Sequence, residues 1–306
     1  IAREWAVGLL LAVVAGALRL AFIADMEYKY DEKTAFEMAG QFLRFERLPL
    51  VGLDSSVGLP NPPGFVCIVA ALRLIVADPL QVAICIAALN AAAVVWFWWF
   101  FRRRIDPYIA WVSAFLFATT PWAVIFSRKI WAQDLLAPCC VALLVGLVKA
   151  VEERQPRYWL LVAAALTVLL QLHLSSVFLV IAVPAAVAIW LAGRPAGTAA
   201  ADLRQQLARF RHSADGRFIR IGLAAMAVIF LPYGLLILKN LRLALASVKA
   251  SHSAGQTFGG HAVESAQGFV QTISGVFFAA ELRGDMAAFP GFLGAPWWGA
   301  VLVASG

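Results

Sequence analysis

The chain is built from apolar runs that approach the thickness of a lipid bilayer, joined by short polar segments that hold most of its charge. A spanning helix needs about 20 predominantly apolar residues. Runs near that length occupy 5–24, 79–101, 108–126, 135–151, 158–172, 174–191, 218–238 and 291 onward. With 62% hydrophobic and 14% charged residues, the chain carries more apolar surface than a water-soluble fold of 306 residues can hide. Lipid is therefore its main solvent, and the expected fold is all-α, a polytopic transmembrane helical bundle. The chain opens on Ile1 and stops at Gly306 within an apolar run, so both ends are expected to be cut. The first run is long, carries Arg19 late and is followed by many others, which reads as a span and not as a signal peptide.

Charge placement orients such a bundle. The net charge of +7 comes from Arg and Lys gathered between apolar runs, the arrangement that membrane orientation requires, and nucleic acid is not an expected partner. The segment 62–77 is apolar but short. If it does not cross, Arg3, the triplet Arg102, Arg103 and Arg104, the group Glu152, Glu153, Arg154 and Arg157, and the Arg-rich loop 193–217 all fall on one side. That is the positive-inside pattern, so this side is expected to be cytoplasmic. The segment 25–78 then becomes a long external loop, joined outside by 127–134, the turn near 173 and the stretch 239–290. Trp96, Trp98 and Trp99 just before the triplet fit an interfacial aromatic belt. Cys67, Cys85, Cys139 and Cys140 lie in apolar runs without ligand spacing and read as small buried hydrophobes.

This topology collects polar residues on the outer face. Tyr30-Asp31-Glu32-Lys33 opens an amphipathic stretch expected to lie flat on the bilayer. Asp31 either caps that helix or serves as a carboxylate placed to take a proton from an attacking hydroxyl. Leu59-Pro60-Asn61-Pro62-Pro63-Gly64 forces an extended entry into the next apolar stretch. Arg128 and Lys129 are external cations, against the orientation bias, and need compensation from Asp134 or from a lipid phosphate. His173 stands at an outer helix end, either structural or facing a phosphate or sugar hydroxyl. Lys239 and Arg242 open a loop long enough to suggest function, where cations can meet lipid head groups.

In order along the chain, Asp31-Glu32, Pro62-Pro63, Thr120-Pro121, Ser127-Arg128, Asp134, the segment Gln171-Leu172-His173-Leu174-Ser175-Ser176 and Leu231-Pro232-Tyr233 make a set. It resembles the family-39 glycosyltransferases with the GT-C membrane fold, which include protein O-mannosyltransferases and lipid A aminoarabinose transferases. The likeness runs from the first span to about residue 240. Asn61 departs from it, since the aminoarabinose enzymes usually have Lys before Pro-Pro. The resemblance implies a single transmembrane glycosyltransferase domain over 1–306, with juxtamembrane helices in the first external loop. The implied donor is a polyprenyl-phosphate sugar, the acceptor a hydroxyl on a lipid, glycan or protein, and the outcome inversion. It assigns Asp31 as general base, with Glu32 orienting the acceptor or tuning Asp31. Arg128, with Lys129, His173 or Lys239, would hold the departing phosphate, and Tyr30, Asn61 and Asp134 would line the acceptor side. No cofactor is expected, and the sequence offers no clear metal cage. The expected location is the cytoplasmic membrane, with the site on the periplasmic or extracellular face.

Two other classes compete. A secondary transporter needs polar groups and broken helices at mid-membrane depth, where this chain places little besides Asn90, Ser113 and Thr167. A lipid-binding scaffold accounts for the basic outer loops but leaves Asp31-Glu32 without a role.

Overall fold

A computed structural model describes residues 2–55, 59–192 and 212–242. The chain divides into two compact units, and the fold below is that of the larger, Ile1–Thr119 with Ala123–His252. Among the described residues regular structure is helical, with a single isolated bridge between Asp54 and Pro60. In chain order the helices are α1 (Ala2–Leu20), α2 (Tyr30–Leu43), α3 (Gly64–Arg73), α4 (Pro79–Phe101), α5 (Pro107–Thr119), α6 (Pro121–Ile125), α7 (Leu136–Leu147), α8 (Trp159–Leu172), α9 (Phe178–Ala192) and α10 (Ala214–Lys239).

Among the described residues, three segments are long and apolar enough to cross a membrane: Pro79–Phe101, Ala132–Glu152 and Ala214–Lys239. Gly64–Arg73, Pro107–Thr119, Pro156–Leu172 and Leu174–Ile189 are shorter apolar helices. This is a helical membrane bundle and the chain is a multi-pass membrane protein. Three boundaries differ from the sequence expectation. The apolar run 108–126 is broken, with α5 ending at Thr119 ahead of Pro121, whose ring disfavours helical geometry in the residue before it. The first helix, α1, runs Ala2–Leu20 and stops short of the expected end at 24. Helix α10 begins at Ala214, inside the expected loop 193–217, because Ser213 caps it by accepting from the Gly216 N–H at 3.0 Å. The rest of that loop, 193–211, lies outside the described residues, as do 243–290 and the run from 291.

Helix α1 packs on α4 and α5, α7 on α8 and α4, and α10 on α8. Small residues set the spacing. A Cβ on Gly8 would meet the Trp98 ring at 2.9 Å, so α1 and α4 approach closely there. Arg19, in the last turn of α1, is fully buried. It donates to the carbonyls of Phe117 (3.1 Å), Ala118 (2.9 Å) and Ala123 (3.3 Å). The end of α5 is the negative pole of its dipole, so this cation is stabilised without a carboxylate.

Helix α3 has ten residues, about 15 Å of rise, half the thickness of a bilayer core. It packs on α2, α4 and α8. Phe36 and Ala39 of α2, Val66 and Val69 of α3, Val82 and Ile86 of α4, and Ile130 and Leu172 join in one buried apolar cluster. Arg73 ties α3 to α2 by donating to the Phe36 carbonyl at 2.6 Å, with its guanidinium 3.8 Å from the Phe36 ring centroid. Asp78 then caps α4 through the Leu80 N–H at 2.8 Å. This platform of α2 and α3 is the floor of the site described next.

Candidate active site

A cavity of about 220 Å³ opens at the end of the bundle where α2, α3 and the α8–α9 turn meet. Its polar lining is Asp31, Asp54, Ser55, Asn61, Gln133 and His173, and Trp131 and Phe65 supply aromatic walls. Among the described residues no Lys or Arg lines it.

Asp31 is the second residue of α2 and exposed. Among the described residues its carboxylate makes no hydrogen bond or ion pair. Its neighbour Glu32 does the capping. Glu32 is 3% exposed, reaches back to accept from the Lys29 N–H at 3.1 Å, and lies 3.5 Å from the Lys129 ammonium. That is the Glu half of a capping box, and it fixes the turn that presents Asp31.

Asn61 is the joint of the loop between α2 and α3. Its backbone N–H donates to the Leu53 carbonyl at 2.8 Å, and its carbonyl accepts from the Gly52 N–H at 2.7 Å. Its side-chain oxygen accepts from the Leu174 N–H at 3.2 Å, across the cavity on the α8–α9 turn. Its side-chain nitrogen donates to the Leu53 carbonyl at 3.1 Å, so a replacement needs both a donor and an acceptor. Gly64, at the start of α3, stands so close to Gln171 of α8 that a Cβ would collide with the Gln171 Cβ. Tyr233 of α10 donates to the Pro60 carbonyl at 2.7 Å, holding the same loop from the other side.

His173 caps the turn after α8. Its Nδ1 accepts from the Ser175 N–H at 3.2 Å. In the neutral ring this leaves the proton on Nε2. Burial holds its pKa below the ordinary histidine value, so the neutral ring is favoured near pH 7.

The remaining residues singled out from the sequence lie off the cavity. Lys129 is 11% exposed at its side chain and bonds Glu27 at 2.7 Å. Burial lowers its pKa, but the Glu27 hydrogen bond and the charges of Glu27, Glu32 and Asp134 outweigh that and raise it overall. Asp134 is 1% exposed and accepts from the Lys129 N–H at 3.3 Å, while its other side-chain oxygen has no partner among the described residues. Arg128 donates to the carbonyl of Ala21, at the end of α1. Tyr30 is 81% exposed, and Lys239 is exposed in the last turn of α10. The structure thus brings Asp31, Asn61 and His173 together around one cavity, and Glu32, Lys129 and Asp134 into a buried charge network beside it. Asp54, Trp131 and Gln133 were not anticipated. The backbone pairing of 52–53 with 61 delivers Asp54, a link between residues that no local pattern announces.

Two polar groups inside the bundle are satisfied by backbone. Asn90 donates to the carbonyls of Ile86 (3.0 Å) and Asp134 (2.7 Å), and Thr167 to that of Ala163 (2.7 Å). Among the described residues no group of three His, Cys, Asp or Glu side chains stands close enough to hold a metal ion.

These features define the class: a helical membrane bundle with a polar, aromatic-walled cavity at one end. Residues 60–200 match the model of the dolichyl-phosphate-mannose-protein mannosyltransferase family. The match supports a GT-C-like membrane glycosyltransferase of the mannosyltransferase type. It covers Asn61, Arg128, Asp134 and His173, and begins after Asp31 and Glu32. No curated protein and no solved structure matches the chain.

Proposed function

We propose that this chain transfers a sugar from a polyprenyl-phosphate carrier to an acceptor hydroxyl in the cavity, with inversion at the anomeric carbon. The observation that carries the proposal is the state of Asp31: a carboxylate lining the cavity without a partner among the described residues, while Glu32 beside it does the structural work. The acceptor on a lipid, glycan or protein enters with its hydroxyl toward Asp31. As the acceptor oxygen bonds to the anomeric carbon, its proton passes to Asp31. The glycosidic C–O bond breaks, and its electron pair leaves on the carrier phosphate. The Nε2–H of His173 and the amide of Gln133 suit sugar hydroxyls. Trp131 offers an apolar face to a sugar ring. Asp134 and Lys129 support this arrangement from the network behind α2.

Orientation follows from charge. Arg102, Arg103 and Arg104 lie at the end of the bundle opposite the cavity, at the far end of α4, which is about 35 Å long. By the positive-inside rule that end is cytoplasmic, and the cavity opens on the periplasmic or extracellular face of the cytoplasmic membrane. The test is to incubate purified full-length protein with a panel of polyprenyl-phosphate sugars and to measure carrier release and product anomeric configuration. Retention of configuration, or no release from any donor, would remove this reading.

A further inference from the structure

At the end of the bundle opposite the polar cavity, three helices wall a larger one of about 600 Å³. Glu4 and Val7 line it from α1, Trp98 and Arg102 from the last turn of α4 and the residue that caps it, and Tyr108 and Trp111 from α5. The spacing of three or four positions within each pair puts it on one face of its helix. The chain reverses over 102–106, where Asp106 caps α5 by accepting from the N–H groups of Tyr108 (2.9 Å) and Ile109 (3.1 Å).

Arg102 stands apart from the other cations at this end. Its side chain is 8% exposed, and its Nε has no partner among the described residues. Arg103 and Arg104 are completed by carboxylates, the first by Glu4 at 3.0 Å and the second by Glu153. Glu4 is shared and reaches Arg102 only at 3.8 Å. The Arg102 guanidinium otherwise donates to the Trp99 carbonyl and lies over the Trp99 ring. A buried cation is costly until acceptors and a counter-charge surround it. The rest of the lining has the same bias. Trp98, Trp111 and Tyr108 each bring an N–H or O–H donor to the cavity, with no hydrogen bond from these side chains among the described residues. Four donor side chains thus face one carboxylate that is already engaged, a set that suits an anion with several acceptor oxygens. Apolar surface leads away from it. Phe115, one turn along α5, stacks on Trp111 with ring centroids 5.4 Å apart, and Phe115 and Leu116 are both exposed.

We infer that this cavity seats the phosphate of an anionic glycerophospholipid, with Arg102 and the tryptophan and tyrosine donors around the headgroup and an acyl chain along Trp111 and Phe115. By the orientation argued above, the lipid belongs to the cytoplasmic leaflet, at the depth where interfacial Trp, Tyr and Arg meet head groups. It is a resident lipid, neither donor nor acceptor, and the site does not depend on sugar transfer. A zwitterionic lipid fits less well, because its own ammonium competes with Arg102 for the phosphate.

The experiment uses full-length protein in phosphatidylcholine nanodiscs, with phosphatidylglycerol titrated in as the probe. Bound lipid is counted by native mass spectrometry, and melting temperatures are recorded on the same samples. Arg102→Gln is expected to weaken phosphatidylglycerol binding by about 10-fold and to leave phosphatidylcholine binding unchanged. Glu4→Gln removes the competing carboxylate and is expected to strengthen binding by about 2–5-fold, which a purely structural ion pair would not do. Arg104→Gln lies off the cavity and should leave binding unchanged. Equal losses in Arg102→Gln and Arg104→Gln overturn the site, since they would mean diffuse attraction to an arginine-rich end. So does displacement of the lipid by soluble glycerol 3-phosphate at equal concentration, which would mean a site for a free phosphate ester. If Arg102→Gln does not fold, Glu4→Gln decides: unchanged or weaker binding overturns the assignment.

Discussion

The two ends of the helical bundle handle charge in opposite ways. At the end holding the N-terminus of α1, cations are numerous and engaged. Arg103 bonds Glu4 at 3.0 Å, Arg104 pairs with Glu153, and Lys149 meets the same Glu153 at 3.2 Å. Arg102 lies 3.5 Å from the Trp99 ring centroid. The Trp159 indole donates to Asp215 at 2.8 Å, tying α8 to α10 there. At the cavity end, one cluster is paired just as fully: Glu27, Glu32 and Lys129. Beside it, Asp31 and Asp54 line a cavity without side-chain partners among the described residues. A charge that the fold completes is part of the scaffold, and a charge that it leaves incomplete is available for a ligand.

This contrast breaks first at Asp31. Asp31→Asn keeps size and removes the proton acceptor. Turnover is expected to fall by about 10²–10⁴-fold, with little change in melting temperature because no protein partner is lost. A variant that kept more than about a tenth of wild-type carrier release would exclude Asp31 as the base.

Lys129 should behave in the opposite way. Lys129→Met preserves the stem but leaves buried Glu32 without its cation and part-buried Glu27 with Lys29 alone, 2.9 Å away. Breaking such a network costs about 3–5 kcal/mol. Thermal or denaturant unfolding should show that loss, and carrier release per folded molecule should change much less. Full stability with lost turnover would move Lys129 from the scaffold to the chemistry.

His173 lies between these extremes, and pH separates its roles. Burial depresses its folded pKa, so the unfolded chain takes up a proton more readily. Stability contributed by the neutral ring is present above the unfolded value, about 6.5, and declines as pH falls below it. His173→Asn should flatten the melting-temperature profile between about pH 5 and 7. An unchanged profile would show that the ring is not held neutral by the fold.

Much of this division was legible in the residues. Asp31, Asn61 and His173 could be read because polar groups clustered next to apolar runs are conspicuous, and loop charges put them on one side. The short α3 was legible from its length. The partners of the external cations were not. Lys129 meets Glu27 from 102 positions away, and Arg128 uses the carbonyl of Ala21, 107 positions away. Sequence reasoning offered Asp134 or a phosphate for both, because a backbone carbonyl at a helix end carries no residue-type signal. Asp54 escaped notice for a similar reason: its place depends on the ladder between Gly52, Leu53 and Asn61. The break after α5 was written in Pro121, but the continuous apolar run on both sides hid it.

The smallest effect belongs to the opposite end. Arg104 and Glu153 pair with side chains 31% and 26% exposed, and Glu153 also accepts from Gln155 at 2.9 Å. The Arg104 hydrogen bond is the largest reason that the Glu153 carboxyl is held below its ordinary range. Its stabilising contribution is therefore present above the unfolded carboxylate value, about 4.3, and lost as pH falls through the lower folded value. Partly exposed pairs are worth about 0–1 kcal/mol, since solvent screens them and two long side chains must be ordered. A double-mutant cycle of Arg104→Ala and Glu153→Ala should return a coupling in that range near pH 7, vanishing in acid, with turnover unaffected. Coupling that persisted after Glu153 is protonated would mean that a neutral hydrogen bond between the two side chains, and not their charge, carries the interaction. A drop in turnover from either variant would tie this end to the chemistry and dissolve the contrast between the two.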